Sequence, residues 1–348
     1  MTKDELEGIQ ICIAPHAFYA YISFTTTGWL VWVTVWVAFV LVPLLELLMP
    51  PSPRNIDEAE EERIAHSRVY NIFLYLLIPL QFVAVYVFLR SMGDINISIA
   101  DRLGRILAMG ILCGVFGINV GHEIGHRVSR LNQVLSQSML MTSLYMHFNI
   151  DHNKGHHKNV GTPLDPGSAR YNESLYHFLF RMQFGTYRVA WTIATQEQKK
   201  AAQSFLQNKM FLFTMVQLAY CAAIVLLFGW QALAYYSLAA VGGIILFQAV
   251  SYIQHYGLSR KPTGEGRYER VMPRHSWDSD QVLGRLILFE LSRHSDHHYL
   301  ASRRYQVLRH HDDSPQLPTG RQYVAGSYTT LVVRDNEQEN RSVKASIK

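Results

Sequence analysis

Residues 103–127 read LGRILAMGILCGVFGINVGHEIGHR, and the fold turns on how they are read. Apart from Arg105 and Asn119 the first nineteen are apolar or glycine, which is close to the helix needed to cross about 30 Å of hydrocarbon. The run then ends in His122, Glu123 and His126, which satisfy HExxH. On a helix that motif places two imidazoles one turn apart for a zinc ion and offers the glutamate as general base. The stretch therefore poses a choice between an intramembrane zinc protease and one corner of a larger metal site.

Similar runs recur along the chain. Of its 348 residues 49% are hydrophobic, 12% aromatic and only 17% charged, with a net charge of +5, which is poor in charge for a soluble domain of this size. Membrane spans are predicted at about 28–49, 70–90, 103–126, 210–229 and 232–254, with a shorter sixth at 10–26. The predicted fold is all-α: about six transmembrane helices under a histidine-rich cap. The loops 22–27, 91–101 and 230–231 hold no Lys or Arg, whereas 127–209 hold ten and 255–348 fifteen. By the positive-inside rule both termini and the ends of the spans closing at His126 and His255 face the cytoplasm. The acidic residues 1–8 and the lack of a small-residue cleavage site argue against a cleaved signal. DEAEEE at 57–62 reads as a solvated loop or short helix, and PPSPRN at 50–55 as a turn. Cys12, Cys113 and Cys221 sit singly in apolar runs and form neither a disulfide framework nor a redox module.

Nine of the sixteen histidines fall in four tight groups: His122 and His126; His152, His156 and His157 in DHNKGHH; His255 in QHYGL; and His294, His297 and His298 in RHSDHH. Positions i and i+3 or i+4 share a helical face, so HxxxH and HxxH each present two rings to one point. The adjacent ring in each HH pair is then expected to turn toward a second ion. Burying so many imidazoles together without metal would strand donors and acceptors. One zinc needs three or four protein ligands; nine suit two ions of about five ligands each. His16, His66, His147, His177, His275, His310 and His311 are read as ordinary surface or core residues.

The set NVGHEIGHR, DHNKGHHKNVGTPLDPGSAR, YIQHYGL, HSW and LSRHSDHHYLASRRYQVLRH, in order over about residues 28–320, resembles the integral-membrane alkane monooxygenases. These lie within the superfamily of membrane hydroxylases and desaturases, and xylene monooxygenases are also similar. The resemblance implies a single domain over 1–320, with 321–348 a divergent tail. It implies two iron ions held by the nine histidines, dioxygen as co-substrate, no flavin or haem, and hydroxylation of terminal C–H bonds of medium-chain alkanes to 1-alkanols. It further implies electrons from rubredoxin and its reductase, and a bacterial inner-membrane location. The chain departs from the usual EHNRGHH, EHYGL and HSWNSN at Asp151, Gln254 and Asp278, and has Leu164 in TPLDP, which leaves the substrate open between alkanes and alkylaromatic methyl groups.

Attack on an unactivated C–H bond requires a redox metal, which zinc is not. With neutral imidazoles around two ferrous ions, nearby carboxylates are expected to orient the rings, and Glu123, Asp151, Asp165, Asp278 and Asp296 are the candidates. An apolar hydrocarbon needs an apolar channel opening to membrane lipid, for which Trp29, Trp32, Trp36 and Phe39 are candidate lining residues. The segments 127–209 and 255–348 hold 25 Lys plus Arg against 15 Asp plus Glu, which would attract an acidic electron donor, although positive-inside bias alone accounts for it. No nucleic-acid motif accompanies the charge. Competing readings are a zinc hydrolase using Glu123, a desaturase acting on lipid-linked acyl chains, and a metal-binding or transport protein. The last would call for charged groups inside the spans, where Glu46 stands nearly alone.

Overall fold

In the computed structural model of the chain, the structure describes residues 18–317. Residues 10–17 of the predicted 10–26 run, and the tail 321–348, lie outside them. Residues 18–25 are helical (α1) and turn at Gly28, whose φ of +71° suits glycine and whose N–H is held by Asp101 at 2.8 Å. Five helices follow that are long and apolar enough to cross a membrane: Gly28–Leu48 (α2), Arg68–Met92 (α4), Ile99–Gly125 (α5), Lys209–Phe228 (α9) and Trp230–His255 (α10). They match the five predicted long runs to within a few residues. Between them lie Glu58–His66 (α3), Arg130–Thr142 (α6), a helix over 148–159 (α7) and Leu175–Lys200 (α8). Short helices Val282–Ile287 (α11) and His294–Tyr299 (α12) follow a small hairpin of Pro262–Gly264 (β1) and Arg267–Tyr268 (β2).

The helix starts are written locally. Ser67, Ser98, Ser129, Ser174 and Asn208 each accept a hydrogen bond from a backbone N–H of the first turn they precede. Gly229, at φ +87°, turns the chain between α9 and α10.

Two features bring the histidine-bearing ends together. First, α5 and α10 cross through glycines: a Cβ on Gly243 would stand 2.7 Å from Cys113 Cβ and from the Gly110 carbonyl oxygen. Small residues let two spans approach this closely where the hydrophobic effect cannot drive them together. Second, α5 carries a π-bulge over Cys113–Ile118 and α7 another over Asp151–His156. Each advances the helical face beyond where α-spacing would put it. The carbonyl of Cys113 is met by the Ser143 hydroxyl at 2.9 Å.

The segment predicted as a turn at 50–55 has a further job. Its carbonyls at Arg54 and Ser52 accept from the buried Arg293 guanidinium at 2.9 and 3.3 Å, and Arg293 also donates to Leu308 O at 2.7 Å. The acidic helix α3 is largely exposed and pairs with the C-terminal segment through Glu61 and Arg309 at 2.6 Å. These bonds clamp the segment before α12 against the start of the bundle.

Candidate metal centre

All nine clustered histidines meet at one end of the bundle, in two sets. Ring nitrogens of His122, His126, His152, His157 and His297 lie within 4.8 Å of one another, and so do those of His156, His255, His294 and His298. Neither set includes a carboxylate or a cysteine. RHSDHH and HEIGH, far apart in sequence, touch: His122 Nε2 and His297 Nε2 are 3.0 Å apart. The HExxH motif is thus part of a nine-ring assembly.

His122 and His126 share a set as HxxxH predicts, but in the two HH-bearing motifs the pairing is the reverse of the sequence expectation. His152 shares its set with His157, at 2.9 Å between Nε2 atoms, while His156 goes to the other. The cause is the π-turn over Asp151–His156: a π-helix closes i to i+5, so residues five apart share a face. In α12, an ordinary α-helix, His294 joins His298 at 3.0 Å, and His297 turns to the first set. There i+4 lies nearer the same face than i+3 at about 100° per residue.

The spacing fits metal ligation. Two imidazoles at right angles on one ion, each about 2.1 Å from it, stand about 3.0 Å apart. Neighbouring Nε2 atoms here are 2.9–3.1 Å apart in the five-ring set and 3.0 Å in the four-ring set. Hydrogen bonding alone does not satisfy them. His122 Nε2 faces both His126 and His297, and His297 Nε2 faces both His122 and His157, yet one imidazole nitrogen makes one in-plane bond. A cation among the converging lone pairs would satisfy these Nε2 atoms at once. Burial, reinforced by neighbouring rings, pushes His152, His157, His294, His297 and His298 well below the ordinary imidazole value and His126 down to about 4, so these rings are neutral and offer lone pairs at neutral pH.

The five candidate carboxylates divide by contact. Asp165 accepts from His156 Nδ1 at 2.8 Å, from the Ser168 hydroxyl at 2.6 Å and from the Gly167 N–H at 2.9 Å. Burial would raise its pKa, but His156 and these donors hold it below the usual carboxylate range. It thereby fixes the His156 tautomer with Nε2 free to bind metal. Gly167 is required here, since a Cβ would stand 2.8 Å from His156 Nδ1. Asp278 accepts from the Ser295 N–H at 2.7 Å and its hydroxyl at 2.5 Å, so it anchors α12 rather than a ring; burial pushes it up to about 7. Asp296 binds Arg303, the Arg309 N–H and His311, tying α12 to the following segment. Glu123 faces Arg127 at 3.6 Å and the Tyr305 backbone N–H, which is not the posture of a base over a zinc-bound water.

Asp151 lies in a cavity against the rings of His122, His152, His156 and His294, whose walls include Phe148, Met182, Phe247 and Leu291, with Gln254 and Ser251 alongside. Asp151 Oδ1 is buried without a hydrogen-bond partner, and burial followed by Asp165 pushes its pKa well above the carboxylate range. None of Trp29, Trp32, Trp36 or Phe39 lines this cavity. Trp29 and Trp36 are exposed on α2, Trp32 packs where a Gly104 side chain would stand, and Phe39 packs on the bundle core. Trp29 and Trp36 therefore mark an outer face of α2. Phe148, Met182 and Phe247 had no sequence signal of their own; Asp151 and Gln254 did, as departures from the family pattern.

A profile of the fatty acid desaturase family matches residues 102–325. Alkane 1-monooxygenase 1 of Alcanivorax borkumensis is 34% identical over 84% of this chain and 74% of its own length. Alkane 1-monooxygenase 1 of Pseudomonas aeruginosa is 37% identical over 81% and 75%. The xylene/toluene monooxygenase hydroxylase component XylM of Pseudomonas putida is 26% identical over 82% and 76%. With those likenesses added to five apolar spans and a nine-histidine centre, the chain belongs to the alkane 1-monooxygenase family and is an integral-membrane monooxygenase.

Proposed function

We propose that this protein is an O2-dependent diiron monooxygenase that converts medium-chain alkanes to 1-alkanols with electrons from rubredoxin and its reductase. The observation that carries the reading is the division of nine imidazoles into sets of five and four with ligand-like spacing. His122, His126, His152, His157 and His297 would hold one ion, and His156, His255, His294 and His298 the other. Two irons in such a set supply the redox chemistry by which dioxygen, two electrons and two protons turn R–H into R–OH and water. The chain's own part is to bind, orient and exclude. Asp165 orients His156, while Asp278 and Asp296 seat the helix that brings three of the rings. Phe148, Met182, Phe247 and Leu291 give a hydrocarbon an apolar wall beside the rings and keep bulk water out.

A second reading, oxidation of a methyl group on an alkylaromatic ring, draws on the likeness to XylM and on Asp151 and Gln254 in the cavity wall. The absence of Lys and Arg from 91–101 and 230–231, against their abundance in 127–209 and 255–348, supports an active site on the cytoplasmic side of the inner membrane. The test is purified protein given reductant, rubredoxin, dioxygen and either octane or a xylene. 1-Octanol formed only with both dioxygen and reductant supports the first reading, a benzylic alcohol alone the second, and peptide cleavage without oxygen would overturn both.

A further inference from the structure

The helix α8, Leu175–Lys200, belongs to none of the five apolar spans, yet it displays a row of uncovered aromatic rings. Tyr176, Phe180, Phe184 and Tyr187 are 75%, 72%, 58% and 41% exposed and follow one another at spacings of four, four and three, one face of a helix. Phe178, Met182, Thr186, Ala190 and Ala194 make up the side buried against the protein. A third strip, with His177, Arg188, Thr192 and Lys199, is exposed and polar. The helix is thus divided lengthwise into protein-facing, aromatic and polar sides. An ordinary surface helix has two.

The fold says what covers the aromatic side. Spans α9 and α10 are joined by the one-residue turn at Gly229, so the start of α9 and the end of α10 lie on the same side of the membrane. α9 has 20 residues, about 30 Å of helix at 1.5 Å per residue, the thickness of a hydrocarbon core. Counting as far up α10 from Gly229 arrives near residue 249. α8 is fastened at that level on both spans. Near its start, Phe178 packs on Tyr252 with ring centroids 5.3 Å apart, and Gln183 accepts from Gln248 at 2.8 Å. Near its end, Thr195 accepts from Asn208, the cap of α9, at 3.4 Å. Two anchors at one height, about 18 Å apart along α8 from Gln183 to Thr195, lay the helix across the tops of the spans in the plane of the interface. The turn leading into α9 adds Phe205 and Leu206, 57% and 65% exposed, at the same height.

We infer that α8 is an interfacial helix whose Tyr176, Phe180, Phe184 and Tyr187 rings are seated among lipid acyl chains at the headgroup boundary, with its Arg188 and Lys199 strip in water. Aromatic rings with basic neighbours favour that layer, where one side is apolar and the other wet and anionic headgroups meet the charge. The inference depends on the spans and not on the reaction.

The experiment places nitroxide labels, one at a time, at F180C, F184C, R188C and K199C, with Cys12 and Cys221 replaced by serine and the buried Cys113 kept. The protein is reconstituted in phosphatidylcholine–phosphatidylglycerol vesicles, and collision rates are measured with dioxygen, which concentrates in lipid, and with a water-soluble nickel chelate. The ratio of oxygen to nickel collisions should be several-fold higher at 180 and 184 than at 188 and 199. Labels at Tyr176 and Tyr187 repeat the reading if either phenylalanine variant misfolds. Equal, nickel-dominated ratios at all positions would place the stripe in water and overturn the inference. Low rates with both reagents at 180 and 184 would mean that another protein surface, such as a second copy, covers the stripe, and would overturn it too.

Discussion

The Asp165→Asn substitution isolates the contribution of one carboxylate to the metal centre. Asp165 is buried, accepts from His156 Nδ1 at 2.8 Å, and is itself held by Ser168 and Gly167. Asparagine keeps the shape but removes the charge, and its amide can swing a donor toward the ring and favour the tautomer whose proton occupies Nε2. Loss of such an orienting partner costs about 10–100-fold in metal affinity, or roughly 1.4–2.8 kcal/mol. The effect should fall on the four-ring set that includes His156. The assay is iron remaining after dialysis against a graded series of a ferrous chelator, with thermal unfolding alongside to exclude a folding defect. Half-retention should shift to about 10–100-fold weaker chelation, while Asp165→Glu recovers part of it. Iron retention within about twofold of the parent in both Asp165→Asn and Asp165→Ala would refute the orienting role.

The two sets make a separable prediction: His126→Ala and His255→Ala each lower bound iron by about one ion per chain, and the double variant removes both, measured by elemental analysis. Met182→Trp narrows the cavity and should shift product formation toward shorter hydrocarbons, whereas Trp36→Ala, on the outer face of α2, should leave chain-length preference unchanged; a competition assay with mixed alkanes separates them. Gly243→Val drives side-chain atoms into Cys113 and Gly110 and should destabilise the α5–α10 crossing by about 1–3 kcal/mol, read as a lower melting temperature in detergent. Burial pushes the Glu173 carboxyl up, but Arg181, the Arg170 N–H and His177 outweigh it and hold the group below its ordinary 4.5. Its stabilisation is therefore complete above that value and lost as pH falls through the depressed one. Glu173→Gln should cost about 2 kcal/mol at neutral pH and flatten the acid limb of the stability profile.

The five long spans and the nine clustered histidines were legible in the sequence because both signals are local: an apolar run long enough to cross a bilayer, and rings a helical turn apart. Which rings share a set was not, because no residue in DHNKGHH announces the π-turn that brings His152 to His157. The carboxylates were found, but whether each faces a ring depends on long-range packing: Asp165 reaches His156 only because DPG folds back on α7, while Asp296 turns to Arg303 and Arg309. The spacing of Trp29, Trp32, Trp36 and Phe39 does not say which residues line the cavity beside the rings, since helical spacing describes an outer face as well as an inner one. Met182 and Phe247 come from α8 and α10, and their meeting beside the rings exists only in the folded chain.

The central claim is that imidazoles from four separate segments hold a pair of redox metals, and Mössbauer spectroscopy of 57Fe-loaded protein with iron quantified per chain tests it most directly. Two ferrous ions per chain in two nitrogen-rich environments, both oxidised by dioxygen in the presence of substrate, is the predicted result. A single tightly held metal, or iron that vanishes on His122→Ala yet survives His294→Ala with His298→Ala, would contradict it.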